Sequence, residues 1–245
     1  AGPAGLSFAI EAAKKGHAVT IFEKKKEIGG QFNIAKEVPG KEEFHETIRY
    51  FKEQIDVLDI ELKLNTSVDM DSLANMNFDE IIFSTGISPR QLKIDGIDHP
   101  KVINYEDLLT GKITPGHKVA VIGAGGIGFD ACEFLAHDPN HKPTSLDKEA
   151  FFKEWGIDSD YTGRGAITKK QTPASFRDIT LLQRKETRHG KGLGKTTGWI
   201  HRASLKDKGI HMLGGVEYKK IDNDGLHIST NDAKKTQVLD VDHII

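Results

Sequence analysis

The chain has 245 residues, 37% of them hydrophobic, with 25 glycines and a formal charge of -2 from 34 Lys/Arg and 36 Asp/Glu. That length suits one large domain or two small ones, and the composition allows a buried core while pointing to neither nucleic acid nor a membrane surface as partner. The longest nearly apolar run, residues 119–129, is far short of the roughly 20 residues a membrane helix needs, and the single cysteine, Cys132, excludes an internal disulfide or a cysteine-built metal or iron–sulfur site within this chain.

The first residues, Ala1-Gly2-Pro3-Ala4-Gly5, form a glycine-rich turn and read as a break inside a motif. Leu6, Ala9, Ile10, Ala12 and Ala13 then recur at helical spacing, with Gly16 suited to the helix end. Residues 18–22 predict a short strand ending at Glu23, residues 41–58 an amphipathic helix, and residues 61–68 a strand. Residues 79–84 contain Ile-Ile-Phe and predict a buried strand running into Thr85-Gly86. Loop-rich sequence with Pro89, Gly96, Pro100, Gly111 and Pro115 follows, and places a domain boundary at residue 112. Residues 118–122 predict a strand, followed by a glycine loop and a helix to about Leu135. Residues 137–177 are polar and loop-rich, residues 179–182 are a strand, 197–208 a helix, and 210–245 short strands with a turn at Asn223-Asp224-Gly225.

The strongest motif is Gly123-x-Gly125-x-x-Gly128, with Gly126 inside it. It follows a predicted strand and opens a predicted helix, the context a dinucleotide fingerprint requires. The first glycine makes the tight turn, the second admits the pyrophosphate, and the third lets helix pack on strand. The helix N-terminus then offers N–H groups and positive dipole to phosphate. The next strand ends in Gln183-Arg184-Lys185, with no acid at the strand end where NADH would want one and with Arg188 and Lys191 close by. A ribose 2′-phosphate favours such donors, so NADPH is expected over NADH. The gap from Gly125 to Arg184 far exceeds the usual ~20 positions, which makes 137–177 an insertion.

Gly2 and Gly5 read as the second and third glycines of another fingerprint, with Ala4 between them. Glu23 ends the following strand, where an acid accepts hydrogen bonds from ribose hydroxyls. The Pro-containing turn and the later Gly29-Gly30-Gln31 favour FAD there. Ser84-Thr85-Gly86 is similar to the turn that closes a flavin half. Val68 is either a backbone contact to adenine or a plain strand valine. Lys41 either neutralises phosphate or is solvated. Two decoys fail. Gly190 to Thr196 resembles a phosphate-binding loop, but position 189 is His where that pattern needs Gly. Pro139 separates His137 from His141 and opposes the helix that would align them as metal ligands.

Several longer runs carry a family resemblance. They are Ile28-Gly29-Gly30-Gln31-Phe32-Asn33, Ile94-Asp95-Gly96-Ile97-Asp98-His99-Pro100, Glu154-Trp155-Gly156-Ile157-Asp158, Leu182-Gln183-Arg184-Lys185 and Gly192-Leu193-Gly194-Lys195-Thr196-Thr197-Gly198-Trp199. Together they resemble the bacterial NADPH-dependent 2,4-dienoyl-CoA reductases, related to old yellow enzyme, over essentially the whole chain, insertion included. The resemblance implies a cytoplasmic enzyme of unsaturated fatty acid β-oxidation. It implies an N-terminal barrel carrying FMN and the dienoyl-CoA site, then a 4Fe–4S cluster, then FAD and NADPH domains, of which this chain matches only the last. No acid–base catalyst for the diene step and no metal ligand is expected in it.

The expected fold is α/β, with two Rossmann-like three-layer domains. Residues 1–112 form an incomplete FAD domain with Gly2, Ala4, Gly5, Glu23, Gln31, Lys41, Val68, Thr85 and Gly86 at the cofactor. Residues 113–245 form an NADPH domain with Gly123, Gly125, Gly126, Gly128, Gln183, Arg184 and Lys185. Two alternatives remain open: the electron-input part of a related enoate reductase, amine dehydrogenase or glutamate-synthase-type flavoprotein, and a nucleotide-binding module without catalysis.

Overall fold

A computed structural model describes residues 1–230 and 233–245. The chain divides into two compact units, residues 1–36 with 41–90, and residues 37–40 with 91–245.

In the first unit, helix α1 (Pro3–Lys14) begins with Pro3 at its first position, where the missing N–H goes unneeded. It buries Leu6, Ala9 and Ile10 against Ile21, Phe51 and Ile55, the spacing that places these residues on one helical face. Strand β1 (Thr20–Phe22) pairs in parallel with β2 (Glu61–Lys63), Ile21 opposite Leu62. Between them lie α2 (Phe32–Ala35) and α3 (Phe44–Val57), whose Phe32 and Phe44 rings stack at 4.3 Å. Helix α4 (Met70–Ala74) is opened by a reciprocal Asp69–Ser72 capping box.

Two expectations fail in this unit. The strand expected over 61–68 stops at Lys63, because Asn65 turns left-handed (φ 52°) and bends the chain out of the pleat. Val68 therefore lies in the coil ahead of α4, half-buried. The buried strand expected over 79–84 is coil, with Ile81, Ile82 and Phe83 exposed by 42%, 52% and 65%. A strand is held by ladder partners, and among the described residues this unit's sheet contains only β1 and β2.

The second unit opens with α5 (Tyr105–Leu109), capped by Asn104. Then come β3 (Lys118–Ile122), α6 (Gly126–Ala136), α7 (Lys148–Trp155), β4 (Asp178–Leu182), α8 (Gly198–Asp207) and β5 (His211–Leu213). Strands β6 (Val216–Asp222), β7 (Gly225–Thr230) and β8 (Ala233–Leu239) form an antiparallel sheet, and β9 (His243–Ile244) returns to the main one. The main sheet is all parallel in the order β5-β4-β3-β9. Numbered by appearance in this sheet that is 3-2-1-4, the beginning of the doubly wound dinucleotide-binding order. Strand β3 is buried on both faces, as its unbroken apolar run requires. Val119 and Val121 meet Phe129, Leu135 and Leu205 on one side, while Ala120 meets Val216, Leu226 and Ile228 on the other.

The expected boundary at residue 112 falls inside this second unit. Ile94 and Ile97 pack on the core shared with β6 and β7, and Leu108 on the core of α6. The backbone follows: Ile221 N donates to Asp95 O and Ile103 N to Ile244 O, both at 2.8 Å. Residues 137–177 leave from the end of α6 and return to it. Phe176 N donates to Ala136 O at 2.9 Å and Arg177 Nη1 to Leu135 O at 3.0 Å. The segment thus lengthens the chain without altering the sheet.

Candidate functional site

The glycine loop of the second unit joins β3 to α6. Gly123 takes φ 109°, a conformation side chains disfavour, and its N–H donates to Leu182 O at 2.8 Å. A Cβ on Gly128 would lie 1.8 Å from Gly123 O, so helix and loop touch there at a distance only glycine allows. Gly125 caps α6 with no side-chain hydrogen bond, and a Cβ on Gly125 or Gly126 would meet no atom within 4 Å. The loop is thus closed from below and open above, with the helix's first-turn amides left uncapped by any side chain. This is the cradle a pyrophosphate needs.

Beside it lies a cavity of about 400 Å³ lined by Ala124, Gln183, Lys185, Thr187, Lys191 and Gly192. Its lining carries two ammonium groups and no carboxylate. The Gln183 amide nitrogen donates to Lys185 O at 2.8 Å and also to Thr187 O, curling the chain after β4. Gly190 N donates to Ala124 O at 3.2 Å and draws the same loop onto the glycine turn.

Arg184 does not join this group. It lines a separate depression of about 420 Å³ with Lys93, Ile94, Val216, Glu217 and Tyr218. Burial pushes the Tyr218 hydroxyl up to about 12, with the Arg184 charge pulling the other way. Thr187 and Gly192 escaped the sequence reading because their place depends on the Gln183 brace. The glycines at 190 and 192, following a basic strand end, were the available signal.

In the first unit, Gly2 caps α1 and Ala4 lies exposed in its first turn. A Cβ on Gly5 would lie 2.5 Å from Ser84 Oγ, so the Ser84-Thr85-Gly86 turn runs beside the start of α1. A Cβ on Gly30 would lie 2.8 Å from Gly2 Cα, bringing the Gly29-Gly30-Gln31 segment to the same place, with Gln31 leading into α2. Glu23 completes the group. Its carboxylate accepts from Lys25 N at 2.8 Å. Lys41 precedes α3, and Val68 sits in the coil after β2.

A family model described as pyridine nucleotide-disulphide oxidoreductase matches residues 1–245. The chain belongs to this family. The family is one of flavin-dependent oxidoreductases that bind FAD and NAD(P)H. The one cysteine of the chain, Cys132, is buried in α6.

Over its full length the chain is 26% identical to a metal reductase of Desulforamulus reducens, covering 36% of that protein. Over 55% of its length it is 35% identical to a cinnamate reductase of Clostridium sporogenes, covering 20% of it. Among solved structures, a 2-naphthoyl-CoA reductase superposes on all of the chain with a TM-score of 0.78 and 30% identity, and the chain covers 31% of it. The chain thus spans between a fifth and roughly a third of these relatives. No helix among the described residues is long and apolar enough to cross a membrane.

Proposed function

We propose that this chain is the FAD- and NADPH-binding portion of a 2,4-dienoyl-CoA reductase. The observation that carries the NADPH half is the cavity beside the glycine loop, which holds Lys185 and Lys191 and no carboxylate. A ribose 2′-phosphate is stabilised by such cations, whereas the free 2′-hydroxyl of NADH calls for an acid. Gly123, Gly125, Gly126 and the amides of α6 would take the pyrophosphate. In the first unit, the uncapped N-terminus of α1, the close Gly2–Gly30 approach and the Glu23 carboxylate fit the FAD pyrophosphate and ribose. Gln31, Thr85 and Gly86 are proposed along the same cofactor, with Lys41 and Val68 as further contacts.

When bound, the nicotinamide supplies a hydride and the flavin accepts it. The chain's residues bind, orient and set the local charge. The resemblance assigns the acid–base groups for diene reduction, with FMN and the 4Fe–4S cluster, to the barrel and cluster portions of such a reductase. The 30% identity to a 2-naphthoyl-CoA reductase over the whole chain supports a CoA-thioester substrate for the complete protein. The cinnamate reductase match favours a second reading, the electron-input portion of a related enoate reductase.

The test is stopped-flow absorbance of the complete flavoprotein. NADPH should bleach the flavin faster than NADH does, and a 2,4-dienoyl-CoA should restore its colour. Flavin that stays oxidised with both nucleotides refutes the proposal. Flavin reoxidised by cinnamate and not by the dienoyl-CoA moves it to the second reading.

A further inference from the structure

Neither cavity of the second unit is lined by a residue of the 137–177 segment. Helix α6, 11 residues or roughly 16 Å long, separates the roots of that segment from the glycine loop. Its roots thus stand away from the nucleotide.

The segment carries a braced hairpin. Ile157 and Ile167 face each other across an antiparallel bridge, and one carboxylate gathers the loop between them. Asp158 accepts from Gly163 N at 2.7 Å, Thr162 Oγ1 at 2.8 Å and Asp160 N at 3.1 Å. Its own N–H donates to Ala166 O at 3.0 Å and closes the neck. Below the neck, Gln171 N donates to Lys153 O of α7 at 2.8 Å, and Lys170 pairs with Asp207 of α8 at 2.8 Å. The hairpin therefore stands on two helices.

Two residues with side chains in this loop, Tyr161 and Ala166, are left-handed, with φ 57° and 54°. That conformation is disfavoured for a bulky side chain and persists only where surrounding bonds impose it. The strain does not bury the ring: Tyr161 is 81% exposed, with Ile167 at 71% and Ile157 at 37%. An aromatic side chain held in place before contact loses little freedom on docking, so this construction suits an anchor for another surface.

The area selects the kind of partner. The ring and the two isoleucines offer roughly 400 Å² at most, about half of the ~800 Å² per side that holds two separate molecules together. Contacts between parts of one chain begin smaller, near ~600 Å² for both sides together, because a tethered partner is already present at about millimolar effective concentration. Relatives that match the chain over its whole length contain such a partner. The chain makes up 31% of the 2-naphthoyl-CoA reductase and 36% of the metal reductase.

We propose that Tyr161, with Ile157 and Ile167, docks this hairpin onto the part of the complete flavoprotein that lies outside residues 1–245. The proposal rests on the reading of the chain as one portion of a longer protein. It does not depend on the nucleotide or substrate assigned to that protein, so it fails separately from that assignment.

The experiment replaces Tyr161 in the complete flavoprotein with the photoreactive p-benzoylphenylalanine, irradiates it, and maps the cross-linked peptides by mass spectrometry. Cross-links should run within one polypeptide and reach peptides outside residues 1–245. A dimer-sized band on a denaturing gel, cross-links confined to residues 1–245, or none at all overturns the proposal. Tyr161→Asn gives an independent reading, because asparagine accepts left-handed backbone more readily than tyrosine does. With the ring docked, this variant should melt below the parent although its loop is relaxed. A variant that melts with the parent or above it means a solvated ring and overturns the proposal as well.

Discussion

Replacing Gly128 with alanine should destabilise the second unit, whereas the same change two residues earlier should not. The added Cβ at Gly128 would stand 1.8 Å from Gly123 O and 3.5 Å from Leu181 Cδ1. Ordinary carbon–oxygen contacts lie at about 3.3–3.6 Å, so helix and loop must separate by roughly 1.5 Å. Overpacking of this kind costs about 1–3 kcal/mol. For a protein of this size that lowers the melting temperature by roughly 2–12 °C. At Gly126 a Cβ meets nothing within 4 Å, and alanine in a helix is favoured over glycine by up to ~1 kcal/mol. Gly126→Ala should therefore melt with the parent or slightly above it. Its methyl group would occupy the open space over the loop, so its affinity for adenosine 2′,5′-bisphosphate should fall. Differential scanning calorimetry and nucleotide titration of both variants separate the effects. If Gly128→Ala melts with the parent, the close approach does not constrain this loop. If Gly126→Ala binds nucleotide at full strength, the open space above the loop is not where the ligand lies.

Two further outcomes are expected. Burial first, and the neighbouring Glu133 second, push the Cys132 thiol well above its ordinary range, so the folded protein should resist Ellman's reagent at neutral pH and release one equivalent from this chain only on denaturation; rapid labelling of the folded state would contradict the buried position. Tyr218 is raised from 10.0 to about 12, which means the fold favours its neutral form. The stability it contributes is complete below pH 10.0 and is lost as pH rises toward about 12. Near-ultraviolet titration should show a late-ionising phenol that disappears in Tyr218→Phe and moves still higher in Arg184→Ala. A titration indifferent to Arg184 would place that residue away from the tyrosine.

Local chemistry located most of the second unit. β3, α6, β4 and α8 begin and end within about three residues of their expected limits. A buried parallel strand needs an unbroken apolar run, and a glycine turn followed by a small-residue helix has few other uses. The same directness served α1 and β1. It failed at residues 79–84, where Ile81, Ile82 and Phe83 have strand chemistry but no ladder partner among the described residues. It failed again at Val68, where one left-handed residue, Asn65, ended the strand early. Residues 91–112 look like a linker, yet they belong to the second unit, because their isoleucines and leucines join its core and their backbone bonds to β6 and β9.

The chemistry proposed for the site was legible before its membership. Glycines 123, 125 and 128 and the Arg184-Lys185 pair ending β4 are local facts, and the proposal of a phosphorylated dinucleotide starts from them. Which cations meet is not local. Arg184 and Lys185 are adjacent in sequence and face different cavities, while Lys191 reaches the cavity of Lys185 because Gly190 is packed against Phe129. Spacing along the chain sets what each residue can do. The side on which a side chain emerges after a strand ends depends on a brace from Gln183 and a core contact through Gly190, interactions that exist only once β4, α6 and the loop are packed together.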